Sequence, residues 1–83
     1  MKRKKNESIA LGKVLRQYRD AKQISQEILA EKANLHRTYL GSIERGERNP
    51  AFNNLNSILK ALNTSWALFG ESIDKELNKQ KES

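Results

Sequence analysis

Residues 25–50 read SQEILAEKANLHRTYLGSIERGERNP, and the order of polar and apolar positions in this stretch decides the architecture of the chain. Ser25 stands just before QEILAEKA, where its hydroxyl can accept a helix N–H. Ile28 three residues on makes it a simple N-cap without a full capping box. A helix is predicted from Gln26 to about Ala33. Asn34 follows, and asparagine is among the few non-glycine residues that tolerate a left-handed backbone, so a tight turn is predicted there. A second short helix then covers about Arg37 to Glu44, with Leu40 and Ile43 facing inward and Leu35 and His36 at its threshold. Gly46 supplies its stop, and Pro50 forbids continuation through RGERNPA.

Outward from this pair the same periodicity recurs. Leu11, Val14, Leu15 and Tyr18 fall at i, i+3, i+4 and i+7, the stripe of an amphipathic helix, with Lys13, Arg16, Arg19 and Lys22 off it. That predicts a first helix from about Ser8 to Ala21. Leu55, Ile58, Leu59 and Leu62 repeat the pattern for a fourth helix from about Phe52 to Leu62. Asn63-Thr64 breaks it, and Thr64 or Ser65 caps a fifth from Ser65 to about Leu77. No segment alternates with period two over a strand's length, so the fold is expected to be all-α, a compact five-helix domain. Residues 1–7 (MKRKKNE) form a basic arm, 8–77 the folded domain, and 78–83 (NKQKES) a polar tail; both ends are polar enough for disorder.

At 83 residues the chain is one small domain, near the lower limit for burying a core without staples, so a partner subunit would help it. There is no cysteine, which excludes a disulfide framework or thiolate metal site, and the lone His36 cannot build a zinc site alone. No apolar run approaches the roughly 18 residues of a membrane span, and the basic start lacks the apolar core of a signal peptide. A soluble, cytoplasmic, nucleoid-associated protein with no cofactor, metal or membrane partner is expected. The net charge of +6 favours a polyanionic partner. The first seven residues hold four basic and one acidic side chain, so the body is only mildly basic and local placement must matter more than bulk charge.

A helix, a short left-handed turn and a second helix make a helix-turn-helix, whose second helix is built for the major groove. The motif needs a small residue where the helices cross, a turn residue that accepts positive φ, and apolar residues that seat the second helix. Ala30, Asn34, and the set Leu29, Leu35, Leu40 and Ile43 supply them. The stretch quoted above resembles the helix-turn-helix of the phage repressor and Cro family, in which Ser/Thr-Gln opens the second helix and Ile-Glu-x-Gly closes the third. More narrowly, RTYLGSIERGERNP followed by LNSILKALNTSWALF is similar to the controller proteins of restriction-modification systems. The resemblance covers about residues 8 to 73. One departure is visible: relatives often read Arg-Thr-Tyr-Ile-Ser, whereas Gly41 stands here at the serine position, and glycine inside a helix costs about 1 kcal/mol against alanine.

Carried over by position, the resemblance implies that Gln26 lies against a phosphate at the start of the second helix, with the helix dipole behind it. It points Arg37, Thr38 and Ser42 into the groove as base readers. The chemistry agrees: arginine can bridge guanine O6 and N7, and threonine can hydrogen-bond or offer its methyl to thymine. Tyr39 can give its hydroxyl to a phosphate, and Arg45, Arg48 and Asn49 are placed to grip the backbone. His36 is a candidate further contact. Glu44 would be repelled by DNA, which assigns it a structural role, pairing Arg45, Arg48 or an arginine of the first helix.

In the last helix Trp66, Phe69, Ile73 and Leu77 recur at helical spacing, with Leu68 on a second flank, and Leu68 and part of Phe69 are expected to close the core. The stripe exceeds what the core needs, which points to a homodimer, and the resemblance implies the same, with the fifth helices pairing across a two-fold axis. Two reading helices about 34 Å apart would then face a palindromic operator in double-stranded DNA. The resemblance further implies timed expression of the endonuclease and of the controller's own gene, with RNA polymerase as a further partner. A phage or toxin-antitoxin regulator, and a protein-protein adaptor that has lost DNA binding, remain the alternatives. No constellation of residues supports an enzyme mechanism.

Overall fold

The computed structural model describes the backbone of residues 6–82 and the side chains of residues 6–80; most of the basic arm at 1–7 lies outside this range. Its elements are α1 (Asn6–Ala21), α2 (Gln26–Ala33), α3 (Arg37–Glu44), α4 (Phe52–Ala61) and α5 (Trp66–Glu82), with no strand among the described residues. The all-α expectation is met. Two ends differ: α1 begins two residues earlier than the apolar stripe suggests, and α5 runs to Glu82 through the segment read as a polar tail. Nothing in NKQKE opposes a helix once one is nucleated, since Lys, Gln and Glu are good helix formers and no glycine or proline intervenes.

The chain turns four times by one device. Gln23 (φ 58°), Asn34 (φ 58°), Gly46 (φ 75°) and Asn63 (φ 56°) each adopt the left-handed conformation just beyond one of the first four helices. After each, the next backbone N–H returns to a carbonyl five residues back: Ile24 to Arg19 at 3.4 Å, Leu35 to Ala30 at 2.8 Å, Glu47 to Ser42 at 3.0 Å and Thr64 to Leu59 at 3.0 Å. These are Schellman closures, which satisfy carbonyls that a helix end leaves orphaned. Helix starts are treated less evenly. Ser25 Oγ accepts from the Ile28 N–H and Ser65 Oγ from the Leu68 N–H, each at 3.1 Å, whereas α3 and α4 follow His36 and Ala51 with no side-chain cap.

The core is a single cluster of Val14, Leu15, Leu29, Ala30, Ala33, Leu40, Ile43, Leu55, Ile58, Leu59, Leu62 and Phe69, with Leu11, Tyr18, Leu35, Tyr39 and Ile73 packed around it. The apolar stripes of the first four helices therefore converge as their periodicity requires. α1 packs on α3 and α5, and α2 packs on α3 and α4, so α3 is held between α1 and α2.

The contact that sets this geometry is at Gly12. A Cβ there would lie 2.6 Å from the Glu44 carbonyl oxygen and would strike the Ile43 carbonyl as well. The end of α3 thus rests on bare backbone of α1. Gly70, within α5, has nothing within 4 Å of a would-be Cβ. The two glycines should respond with opposite sign. Gly12→Ala is expected to destabilise by about 1–3 kcal/mol or more through overpacking, and Gly70→Ala to stabilise by about 0.5–1 kcal/mol through helix propensity. Urea-melt midpoints of the two variants check both.

Candidate nucleic-acid interface

Behind α3 lies a polar network that joins three helices. Arg19 on α1 makes a forked contact with Glu44 at the end of α3, Nε donating to Oε2 at 2.8 Å and Nη2 to Oε1 at 3.0 Å. Gln26 Nε2, at the start of α2, donates to the same Oε1 at 2.9 Å, and Arg19 Nη1 donates to the Ile24 carbonyl at 2.9 Å. The Arg19 and Glu44 side chains are only 11% and 3% exposed, so the pair is desolvated and its geometry is two-pronged. The hydrogen bond to Glu44 raises the Arg19 pKa above its ordinary value against the opposing effect of burial, with the charges of Glu44 and Asp20 adding to it. Of the partners expected for Glu44, it is the arginine of α1 that pairs.

In front of the network, α3 turns Arg37 and Thr38 outward, both exposed, at a helix start whose N–H groups no side chain caps. Arg37 Nε lies 4.0 Å from Glu27 Oε1, a loose surface pair between two exposed side chains. His36, the N-cap residue, is also exposed. Ser42 is half-buried and its hydroxyl donates to the Tyr39 carbonyl at 2.6 Å, so it can meet a ligand only as an acceptor.

Tyr39 closes the far side. Its hydroxyl accepts from Asn54 Nδ2 at 3.1 Å and from the Ala51 N–H at 3.4 Å, and the Arg48 guanidinium sits 5.6 Å from its ring centroid. Both hydrogen bonds use lone pairs of the phenol, which leaves its proton to donate. Arg48 is held over the ring by cation–π attraction. Arg45 Nε bonds Glu47 Oε2 at 3.1 Å, and that bond raises the Arg45 pKa. Asn49 Oδ1 accepts from Ser8 Oγ at 2.7 Å, tying the loop to α1.

The residues singled out in the sequence thus fall into two groups. Arg37, Thr38, Ser42 and Arg45 lie on α3 or at its end, and Tyr39 with Arg48 lines the loop beside it. Gln26 is engaged inward, with Glu44. Arg19 and Asn54 were not singled out; Arg19 lies off the apolar stripe of α1, and only its i+25 partner reveals its role. Of the residues expected at an interface, Phe69 is instead 3% exposed, in the core, edge-on to Tyr18 at 6.0 Å. Leu68, expected to close the core, is 56% exposed. Packing of α5 on α1 accounts for both: the Tyr18 ring meets Phe69 edge-on while its hydroxyl reaches the Leu68 carbonyl, so the Phe69 side of α5 faces inward and Leu68 faces out. Among the described residues no three His, Asp or Glu side chains converge to hold a metal ion, and no helix is long and apolar enough to cross a membrane.

α2, the left-handed turn at Asn34 and α3 make a helix-turn-helix, and comparison with known proteins agrees. Residues 15–69 match the family model described as "Helix-turn-helix". Control protein C.SmaI of Serratia marcescens is 53% identical over 55 residues, covering 66% of each chain, and control protein C.BamHI of Bacillus amyloliquefaciens is 47% identical over 58 residues, 69% of this chain and 72% of that one. The restriction-modification controller protein C.Esp1396I superposes with a TM-score of 0.83 at 38% identity, over 88% of this chain and 95% of that one. That controller has also been solved as a tetramer on its natural 35 base-pair operator, and as mutants at a consecutive arginine, threonine and tyrosine. The chain belongs to the helix-turn-helix family and, within it, to the restriction-modification control proteins.

The brace should be separable from the surface it supports. Glu44→Ala leaves the buried Arg19 fork with only the surface carboxylate of Asp20 and the Ile24 carbonyl in place of its two-pronged partner, and is expected to cost about 3 kcal/mol. Glu27→Ala, at the loose surface pair, is expected to cost less than about 1 kcal/mol. Chemical denaturation of both variants checks the contrast.

Proposed function

We propose that this protein is a homodimeric, sequence-specific DNA-binding regulator that controls the timing of a restriction-modification system, its own gene included. The observation that carries the reading is the exposed Arg37-Thr38 pair at an uncapped helix start, set on a rigid buried clamp. A guanidinium and a hydroxyl there match the acceptor-rich edge of guanine and the mixed edge of the other bases. Arg48 over Tyr39, and the free phenol proton of Tyr39, form a separate cluster suited to phosphate oxygens. An Arg-Thr-Tyr run is also present in C.Esp1396I, where each of the three has been replaced in turn, and Arg37-Thr38-Tyr39 is the run of the same type in this chain.

Gln26 remains a phosphate contact in this reading, through the second amide hydrogen that Glu44 does not take. Asn49 contributes through its amide nitrogen, its carbonyl being bound to Ser8. The protein works in the cytoplasm on nucleoid DNA, by binding and not by catalysis, and RNA polymerase at the controlled promoter is its further partner.

The dimer surface follows from what α4 and α5 leave uncovered. Phe52 (69% exposed) and Trp66 (41% exposed) stack face to face, with centroids 4.9 Å apart and planes at 8°, and Trp66 Nε1 donates to Asn56 Oδ1 at 3.0 Å. The two stacked rings make an ordered apolar patch of the kind that marks an interaction site; Leu68, two residues beyond Trp66, is exposed on another flank of α5. Ile73 and Leu77, half-buried along α5, extend the patch at reduced weight. Pairing through this patch places two copies of α3 on one face of the DNA, so the operator is a palindrome with half-sites about 34 Å apart.

Two measurements test the reading. Arg37→Ala is expected to cost about 1–3 kcal/mol on a cognate operator recovered from random duplex DNA and little on unrelated sequence; equal losses on both would remove Arg37 as a base reader. Phe52→Asp, at an exposed position in the stacked patch, is expected to give a folded monomer by light scattering and circular dichroism, and a dimer that survives it would place the interface elsewhere.

A further inference from the structure

One position on the exposed side of α3 carries no side chain, yet it is covered. Gly41 lies in the row Arg37, Thr38, Gly41, Ser42 and Arg45, and is buried. A Cβ built on it would lie 3.1 Å from Arg45 Nη1, 3.5 Å from Gln26 Oε1 and 4.0 Å from Gln26 Nε2. The covering group is therefore the guanidinium of Arg45, four residues on. It folds back over the preceding turn, as helical side chains do, instead of extending into the loop. Gln26, fixed by Glu44, forms the neighbouring wall.

The Arg45 fork is both held and open. Glu47 takes its Nε donor at 3.1 Å, and the four N–H groups of its terminal nitrogens meet no acceptor among the described residues. The side chain remains 57% exposed, the same as Arg37. Eight residues separate the two arginines, about 12 Å along the helix axis, and Ser42 between them has spent its proton on the Tyr39 carbonyl. Phosphate contacts have another source, the Arg48–Tyr39 pair in the loop.

We propose that Arg45 reads a base edge in the major groove from the space a side chain at position 41 would fill, so that Gly41 is a specificity-determining vacancy. This rests on α3 being the groove helix, as argued above. The preferred target is guanine, whose O6 and N7 match a planar fork held in one orientation. A residue with a Cβ at position 41 would push the fork aside by a few tenths of an ångström and aim it at a different base or at none.

Binding-site selection from random duplex DNA, run in parallel on the full chain, Arg37→Ala, Arg45→Ala, Arg45→Lys and Gly41→Ser at fixed salt, tests this. The expected result is a motif for the unaltered protein in which Arg45→Ala loses about ten- to hundred-fold discrimination at one base pair of each half-site. That pair should be distinct from the pair altered by Arg37→Ala. Arg45→Lys should lose the same discrimination while keeping the salt dependence, and Gly41→Ser should change the preference at that same pair. An unchanged motif for Arg45→Ala, with affinity lowered equally on all sequences and a salt slope reduced by about one, would make Arg45 a phosphate clamp and overturn the proposal. An unchanged motif for Gly41→Ser would overturn it too. Both outcomes leave the DNA-reading function standing, whereas no motif for the unaltered protein would bring down that function and this inference together. Circular dichroism of each variant confirms that it is folded; Arg45 makes only an exposed pair, so its loss should leave the helices intact.

Discussion

The position of α3 depends on one buried carboxylate. Glu44 receives two N–H groups from Arg19 and one from Gln26, and so ties α1, α2 and α3 at one point. An ion pair of this kind is weak evidence for net stability, because removing two charges from water costs about as much as their attraction returns. What it supplies is direction. Apolar contacts of Leu40 and Ile43 hold α3 down without fixing its rotation about its own axis, whereas a forked guanidinium-carboxylate contact is satisfied in a narrow range of angles. The pair also has an electrostatic consequence. A carboxylate at the end of a DNA-facing helix would repel phosphate, and Arg19 neutralises it from behind, leaving the outer side of α3 to Arg37 and Arg45.

Gly12 is the steric counterpart of that clamp. The carbonyls of Ile43 and Glu44 sit so near the α1 backbone that no side chain fits between them. The close approach brings the α1 arginine within reach of Glu44, so the packing constraint and the ion pair act on the same end of the same helix. Around them the Schellman closures at Gln23, Asn34, Gly46 and Asn63 make each connection short and similar. Rigid connections matter for a reader, because a base contact is lost when donor and acceptor move apart by a fraction of an ångström.

The surface divides by chemistry. On the α3 side, guanidinium, hydroxyl and amide groups are exposed around uncapped helix starts, with Tyr39 and Arg48 held against each other and Asn54. On the α4–α5 side, Phe52 and Trp66 form an apolar patch whose stacked rings are already ordered. A small domain that leaves such a patch uncovered gains apolar burial when a second copy arrives. A polar, cationic surface and an apolar one, on different elements of one small fold, are what the proposed symmetric pair on DNA would use.

The sequence by itself determined the helices, their order and the turn between α2 and α3, because these follow from local rules: apolar spacing at 3.6 residues, serine before a helix, asparagine or glycine after one. It also singled out Arg37, Thr38 and Ser42 as candidate readers, since they lie off the apolar positions of a very short helix. It left open the partner of Glu44, because a contact between residues 19 and 44 has no periodic signature. The exchange of Phe69 and Leu68 between core and surface lay beyond it for a related reason. Adjacent apolar residues on a helix point about 100° apart, and only the packing of α5 on Tyr18 decides which of them is turned inward. Gly41 belongs to the same class. As a residue type it reads as a weak point in a helix, and only the folded-back guanidinium of Arg45 shows that the missing side chain is space another residue occupies.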